Sequence, residues 1–188
     1  MSARSHLPMN NAQDLSYPEI REAVQKLCAH FPGAYWQSMD RDRSYPTEFV
    51  NALTQSGFLS VLIPEHYGGS GLGLAAAAAV LEEIHRSGGN GGACHAQMYT
   101  MGTLLRHGSV EQKEHFLPKI ASGELRLQAF GVTEPTSGTD TTRITTFARR
   151  EGDHYVVSGQ KIWTSRAEHS DLLVLLARTQ KRDEATRP

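Results

Sequence analysis

The chain has 188 residues, a hydrophobic content of 39% and a charged content of 21%, which are ordinary values for a soluble globular protein with a sizeable core. Its formal net charge of −1 provides no basic face for nucleic acid, and no apolar run approaches the roughly 18 residues of a membrane span. Cys28 and Cys94 form no C-x-x-C pair, and the N-terminus lacks an apolar signal-peptide core, so we predict a cytoplasmic protein without a disulfide framework, a membrane span or a nucleic-acid partner.

Helical periodicity dominates the chain before Gly123. Apolar residues recur every three or four positions in several segments, which open at capping signals or prolines and close at glycines or prolines. Ser16 with Glu19, and Ser109 with Gln112, have the spacing of a capping box. The predicted helices are residues 18–31, 46–57, 74–87, 93–106 and 109–118.

The segment between the second and third of these helices, residues 57–73, is an apolar run broken by Pro64 and closed by glycines. Its end, from Gly71 to Ala76, fits the G-x-G-x-x-A pattern of a dinucleotide-binding turn ahead of a helix. That fingerprint requires a strand directly before the first glycine and an acidic residue about 20 positions later, and both are missing here. We therefore favour an ordered structural loop.

After Gly123 the pattern changes from helical to strand-like. Two short β-like runs flank Gly152 and Asp153, which suit a tight hairpin turn, and the continuous apolar run 172–177 predicts a strand buried on both faces. The β-like pieces are residues 144–150, 155–157, 161–164 and 172–177. The predicted fold class is α+β, with an all-α helical domain at residues 1–126 and a partial antiparallel β-domain at residues 127–188.

The stretch from Phe130 to Asp140 lies where the helical part meets the β-like part. Pro135 ends any strand before it, and Gly138 allows a positive φ or the close approach of a flat group. Hydroxyls and backbone N–H groups are available at Thr133, Ser137 and Thr139. The residues fit either a polar turn between strands or a loop that holds the polar edge of a ligand.

Trp163 allows two interpretations. A large aromatic side chain at the end of a strand is most often part of the core, but an indole can also cover a flat cofactor. Thr164 and Ser165 follow it with hydroxyls and N–H groups, so this segment and the 130–140 loop together would suit a flavin ring. The histidines show no H-x-x-x-H pair and no G-x-S-x-G is present, so we predict no metal site and no nucleophilic triad.

Several of these motifs occur together in the acyl-CoA dehydrogenase family, which the chain resembles from about residue 18 to residue 180. Their order and separations also fit that family. They are Ile63–Leu72 (IPEHYGGSGL), Gly108–Lys113 (GSVEQK), Phe116–Pro118 (FLP), Gly123-Glu124, Val132–Pro135 (VTEP), Gly138–Asp140 (GTD) and Gly159–Trp163 (GQKIW).

The resemblance implies a helical domain, a middle β-domain and a C-terminal helical bundle, of which this chain would contain the first and part of the second. It implies that FAD lies against the β-domain, with part of its site coming from a neighbouring subunit, and therefore a homo-oligomer. By resemblance, Thr139 also matches a position near the thioester arm of the substrate. The cofactor-binding residues implied are Phe130, Val132, Thr133, Gly138, Thr139, Trp163, Thr164 and Ser165.

The implied reaction is α,β-dehydrogenation of an acyl-CoA thioester, with electrons passed on to a separate acceptor such as an electron-transfer flavoprotein. The family's catalytic base is a glutamate of the C-terminal bundle, so we assign no catalytic residue here, and Glu134 matches a signature position instead. Arg143 and Thr136-Ser137 depart from the small residues usual in the family, which leaves the acyl preference open. Two alternatives remain, an acyl-CoA oxidase of the same fold and a catalytically silent chain with a role in assembly.

Overall fold

The computed structural model describes residues 16–180, in which six α-helices all precede residue 123 and four strands follow it. The predicted class, a helical domain followed by a small β-portion, is confirmed. None of the helices in residues 16–180 is both long and apolar enough to cross a bilayer. The helices are α1 (Pro18–Cys28), α2 (Gly33–Arg41), α3 (Thr47–Gln55), α4 (Leu74–Arg86), α5 (Gly92–His107) and α6 (Val110–Ser122).

Helix α1 begins at the predicted place, but the capping box predicted for it is wrong. Pro18 is the first helical residue, so the capping position falls on Tyr17, which has left-handed backbone angles (φ 47°, ψ 54°) and makes no side-chain cap. Ser16 is therefore one residue too early, and Glu19 stands at the second helical position instead of the third that a capping box needs.

Helix α2 was not predicted. None of its residues is fully buried, and its contact with the core rests on the adjacent, partly buried Tyr35 and Trp36, which give no repeat of apolar positions along the sequence. It is held by aromatic edge contacts: the Trp36 ring lies 4.8 Å from that of Phe49, and the Tyr35 ring lies 5.1 Å from that of Phe31. These contacts pack α2 against the apolar core of the helical part.

Helix α6 confirms one prediction and corrects another. The capping box at its start is present, because the Gln112 N–H donates to the Ser109 hydroxyl and the Ser109 N–H donates to the Gln112 side chain. The helix does not end at Pro118 but continues for four residues beyond it. Leu117 and Ile120 are fully buried, and their packing outweighs the one backbone hydrogen bond that the proline removes.

The helices enclose two apolar clusters. The larger is built from α1, α3, α4 and the start of α5, with Phe49, Leu53 and Ile84 almost completely buried. The smaller contains Met101 of α5 together with Leu117 and the first residue of the first strand, and it continues the core toward the β-portion. The loop 57–73 joins the two clusters through a pair of single 3₁₀ turns, Phe58–Ser60 and Glu65–Tyr67.

That loop also excludes a dinucleotide-binding turn at Gly71. The described residues before Gly71 form a 3₁₀ turn and a bend instead of a strand, and the Gly71 N–H donates to the Ile63 carbonyl at 2.8 Å. Gly69 is the tightest point, because a Cβ atom built on it would lie 2.1 Å from the Ile63 carbonyl oxygen. The glycines therefore serve to fold the loop back on itself.

Four strands form two separate pairs. Strand β1 (Leu127–Gly131) pairs in parallel with β4 (Leu172–Leu175), and β2 (Phe147–Glu151) pairs antiparallel with β3 (His154–Ser158) across the predicted Gly152-Asp153 turn. The antiparallel arrangement expected for the whole β-portion thus holds for the hairpin only.

Two strand predictions are wrong in detail. Residues 161–164 are irregular, because Lys161 and Ile162 bond sideways to the 130–140 loop instead of extending a ladder. The apolar run after residue 171 forms β4 but is not buried on both faces, since Leu173 and Leu175 keep 45% and 40% of their surface exposed. Nothing in residues 16–180 covers that second face.

Side-chain hydrogen bonds join the β-portion to the helices at β1. The Arg126 guanidinium, just before β1, donates to the Thr54 hydroxyl at 2.6 Å and to the Asn51 amide oxygen at 2.7 Å, both on α3. One residue into the strand, the buried Gln128 accepts from the Tyr45 hydroxyl at 2.7 Å and donates to Gln97 of α5. These bonds, of which the one between Gln128 and Gln97 is buried, fix the position of β1, and with it the start of the 130–140 loop.

We expect Gly69→Ala to destabilise the chain by about 2–3 kcal/mol, because the added methyl group would overlap the Ile63 main chain and force the loop apart. Gly33→Ala is the matched control, since a Cβ atom at this first residue of α2 meets nothing within 4 Å. The free energy of unfolding, measured by urea denaturation, distinguishes the two variants. Equal stabilities would show that the loop relaxes freely around residue 69.

Candidate functional site

The 130–140 loop, called here the signature loop, leaves the end of β1 and turns sharply at once. Glu134 and Ser137 exchange backbone hydrogen bonds of 2.8 and 3.2 Å, which closes a tight turn around Pro135. The Ser137 hydroxyl donates to the Asp140 carbonyl at 2.6 Å and the residue is 5% exposed. Ser137 therefore shapes the loop, and its hydroxyl is not offered to a ligand as the sequence had suggested.

Glu134 is the most heavily bonded side chain of the loop. Its carboxylate accepts from the Thr145 N–H at 2.6 Å, the Thr145 hydroxyl at 2.7 Å and the Thr146 N–H at 2.8 Å. The Lys161 ammonium completes the set at 2.9 Å from the carboxylate. The side chain of Glu134 keeps only 1% of its surface exposed, and that of Lys161 keeps 9%. One carboxylate thus ties together three segments of chain.

This environment changes the acidity of Glu134. Burial by itself would raise the pKa of the carboxyl, but hydrogen bonds from Thr146, Thr145 and Lys161 together outweigh it and hold that pKa well below its usual range. A buried carboxylate with so low a pKa stays ionised and cannot act as a general base near neutral pH. The sequence analysis matched Glu134 to a signature position and did not assign it as the base, and this geometry agrees with that.

Lys161 and Ile162 bring the second predicted segment, residues 161–165, against the signature loop. The Lys161 ammonium donates to the Val132 carbonyl at 2.8 Å, and the Ile162 N–H donates to the Thr133 carbonyl at 2.9 Å. Residues 161–165 are called the tryptophan segment below. The two segments that the sequence predicted to bracket one ligand are therefore neighbours in space.

Trp163 does not belong to the core. It is 84% exposed, the largest fraction among the exposed large hydrophobic residues of the described chain, and its backbone is left-handed (φ 60°). Left-handed angles are costly for a non-glycine residue and are found where the surroundings, or a function, require them. Of the two interpretations drawn from the sequence, burial in the core is wrong, and an indole displayed on the surface remains.

Phe130 lies at one end of a row of rings that includes two residues of α5, Tyr99 and His95, which the sequence analysis missed. Its ring is 38% exposed and makes an edge contact of 5.5 Å with Tyr99 of α5, which in turn contacts His95 at 5.1 Å. Both α5 residues are exposed. Their spacing of four residues is a signal that the sequence contained, because such residues share one face of a helix.

The remaining predicted residues differ in how they are placed. Val132, Thr133 and Thr164 are half-buried beside the Lys161 contact, while Thr139 is exposed. Gly138 does not have the positive φ that its glycine allowed, but a Cβ atom there would meet nothing within 4 Å, so the main chain is open to a ligand. Ser165 is exposed on the other side of the segment, at a cavity that faces the helical domain.

The chain matches two profiles of one protein family, described as the acyl-CoA dehydrogenase N-terminal domain over residues 16–124 and the acyl-CoA dehydrogenase middle domain over residues 129–187. In three dimensions it superposes on the crystal structure of an acyl-CoA dehydrogenase from Geobacillus kaustophilus with a TM-score of 0.79, at 28% identity, covering 90% of this chain and 44% of that one.

Individual relatives match over nearly the same range. Mitochondrial isovaleryl-CoA dehydrogenase of Pongo abelii is 33% identical over 95% of this chain and 44% of its own length. Glutaryl-CoA dehydrogenase of Desulfococcus multivorans is 36% identical over 87% of this chain and 42% of its own length. The chain therefore spans less than half the length of these relatives.

We expect Glu134→Gln to lower the free energy of unfolding by about 3 kcal/mol at neutral pH, because it leaves the buried Lys161 without its counter-charge. Because the folded-state pKa of Glu134 lies below the ordinary value of 4.5, its stabilising effect is complete above about pH 5 and is lost as the pH falls below that. The difference between the wild type and Glu134→Gln should therefore shrink in acid.

Urea denaturation at a series of pH values measures this difference. Glu114→Gln, a change at an exposed position of α6, is the matched control and should stay within about 0.5 kcal/mol of the wild type throughout. The double variant Glu134→Gln/Lys161→Met should recover part of the loss. A gap between the wild type and Glu134→Gln that is constant from neutral to acid pH would contradict an ionised Glu134.

Proposed function

The chain belongs to the acyl-CoA dehydrogenase family, and from this premise we propose that it forms the helical domain and the first part of the β-domain of an FAD-dependent acyl-CoA dehydrogenase. We place the boundary between the two domains at residues 126 and 127, where Arg126 and β1 lead out of the helices. The function is α,β-dehydrogenation of an acyl-CoA thioester. The alternatives, an oxidase of the same fold and a silent chain with a role in assembly, are outcomes of the tests below.

The exposed indole of Trp163 is the observation that carries this proposal. A side chain of this size, 84% exposed and held by left-handed backbone beside two polar loops, is costly to maintain unless a flat partner covers it. The isoalloxazine ring of FAD is such a partner. The surroundings fit, because the open main chain at Gly138 and the exposed Thr139 give polar groups access from the adjoining loop.

Each residue of the two segments has a separate part in this proposal. Trp163 and Phe130 provide apolar contact for the ring, and Val132 and Thr133 provide backbone and hydroxyl groups for its polar edge. Gly138 and Thr139 contact the phosphate part of the cofactor, and Thr139 also contacts the thioester arm. Thr164 provides a hydroxyl near the reactive nitrogen of the ring, whereas the Ser165 hydroxyl, which the sequence had also assigned to the flavin, lines the cavity that faces the helical domain.

The chemistry follows from what these residues can hold. When bound, FAD supplies the acceptor for the hydride that leaves the β-carbon of the acyl group. The chain's own residues orient the ring and the thioester, and water is excluded by the aromatic side chains. The proton at the α-carbon requires a base, and Glu134 is not that base because its carboxylate is committed to Lys161 and to Thr145 and Thr146.

Partners and location are part of the same proposal. The exposed apolar row on β4, Leu173 and Leu175 with the adjoining Leu176, is suited to burial against further protein, which supports a homo-oligomeric enzyme. A separate electron acceptor, such as an electron-transfer flavoprotein, would reoxidise the enzyme. Cys28 and Cys94 are both free and buried, which suits a cytoplasmic protein.

In the protein encoded by the whole reading frame that contains these residues, we expect bound FAD whose visible absorbance bleaches when an acyl-CoA substrate is added. Trp163→Ala should lower FAD retention by about tenfold, since an aromatic contact is worth on the order of 1 kcal/mol and the rest of the site loses its cover. Flavin absorbance after gel filtration measures retention.

Tyr155→Ala is the control, because Tyr155 is also an exposed aromatic residue of the β-portion but lies on β3 next to the hairpin turn, opposite Arg150. Retention that is unchanged in Trp163→Ala would remove Trp163 from the site. Rapid reoxidation by oxygen would identify the oxidase, and a protein without flavin would favour the role in assembly.

The 188-residue chain by itself should bind FAD only weakly, with no bleaching by acyl-CoA, because in this proposal part of the ring and of the phosphate chain is held by other segments of the enzyme. Titration of the chain with FAD, followed by flavin fluorescence, measures this. A stable yellow complex that bleaches with acyl-CoA would contradict it.

A further inference from the structure

The cavity beside Ser165 lies at the junction between the helical domain and the segment that follows Trp163. It has a volume of about 260 Å³ and is bounded by the loop between α2 and α3, the turn between α4 and α5, and residues 165–169. We call it the junction pocket. The polar residues around it are Arg43, Ser44, Tyr45, Asn90, Ser165, Arg166 and His169.

The charge of the junction pocket is positive and unbalanced. Arg43 and Arg166 both line it, and within residues 16–180 neither guanidinium forms an ion pair with a carboxylate. The carboxylates nearest in sequence, Asp42 and Glu168, are exposed. Two arginines that share one concavity repel each other, and an anion between them would remove that cost.

Arg166 is also held in an unusual position. A Cβ atom built on Gly92 would lie 2.3 Å from its guanidinium, so Arg166 rests directly on the first residue of α5. This end of a helix is itself positive, which makes it an unfavourable place for a cation by electrostatics alone. Arg166 reaches it through a left-handed backbone (φ 60°), and Arg43 is left-handed as well (φ 50°). Both arginines are thus directed to the pocket at a cost in conformational energy.

Neutral donors and an aromatic wall complete the pocket. Ser165 contributes a hydroxyl, and Asn90 is fixed by accepting the Gly92 N–H at 2.8 Å, which leaves its amide nitrogen to donate. Tyr45 stacks on His169 with ring centroids 4.2 Å apart. Two guanidinium groups in one lining, with hydroxyl and amide donors beside them, form a donor set that recognises oxyanions.

We propose that the junction pocket binds a small oxyanion, a carboxylate or phosphate group, between Arg43 and Arg166. Ser165, the last residue of the tryptophan segment, lines the pocket, so an anion bound there lies next to the proposed flavin site. One source is the charged free end of an acyl substrate, an identification that rests on the proposed function. The other source is a free inorganic anion.

The 188-residue chain, without FAD, tests the site directly. We expect sodium glutarate or inorganic phosphate, titrated at low ionic strength, to bind with a dissociation constant on the order of 1 mM and to shift the backbone amide NMR signals of residues at the pocket. Glutaramide, which has a similar shape but no charge, should cause no such shift. Stronger binding of glutarate assigns the pocket to an acyl substrate with a terminal carboxylate, and stronger binding of phosphate assigns it to an inorganic anion.

Arg166→Gln should weaken anion binding by about tenfold, and Arg43→Gln, an exposed position that tolerates change, provides a second variant if Arg166→Gln does not fold. Arg106→Gln is the matched control, because Arg106 is exposed at the opposite end of α5. The proposal is overturned if no anion shifts the pocket signals, or if all three variants bind equally. FAD takes no part, so this result is independent of the flavin site.

Discussion

The buried ion pair between Glu134 and Lys161 is the interaction on which the arrangement of the site depends. Each of the segments that it joins is irregular, so no strand ladder or helix would otherwise hold them at a fixed distance. A carboxylate with four donors, almost fully buried, is far more restrictive than a surface pair, because separating its partners leaves uncompensated charge in an apolar environment. The relation between the signature loop and the tryptophan segment follows from this ion pair together with the bonds that Lys161 and Ile162 donate to the Val132 and Thr133 carbonyls.

The helical domain acts on the site through β1. Tyr45, Gln128 and Gln97 form a continuous chain of hydrogen bonds from the α2–α3 loop to α5, and Arg126 adds two bonds to α3. Because the glutamines are fully buried, these bonds allow little freedom in where β1 lies. The helices therefore do more than enclose a core, since they set the position from which the signature loop starts.

Some parts of the described chain bury their apolar side chains, and other parts leave apolar and charged side chains uncovered. The helical cores are closed, whereas Trp163, Phe130 and the outer leucines of β4 remain exposed on the β-portion, and the arginines of the junction pocket lack counter-charges within residues 16–180. An apolar surface calls for an apolar partner, and a cationic cavity calls for an anion. In a flavin enzyme that acts on an acyl-CoA with a charged acyl end, the flavin would cover the apolar surface and the charged end would occupy the cationic cavity. The two proposals therefore support each other while resting on separate observations.

The sequence by itself determined the class of fold, most helices and the residues of the two loops, because capping residues, glycines and apolar periodicity act over a few positions. It also identified Gly152-Asp153 as a hairpin turn. Tertiary structure alone decided the rest. Helix α2, the course of α6 through Pro118 and the parallel pairing of β1 with β4 depend on contacts between distant residues. The exposure of Trp163 and the presence of Arg43 and Arg166 in one cavity depend on which faces the fold leaves uncovered, and no local pattern encodes that.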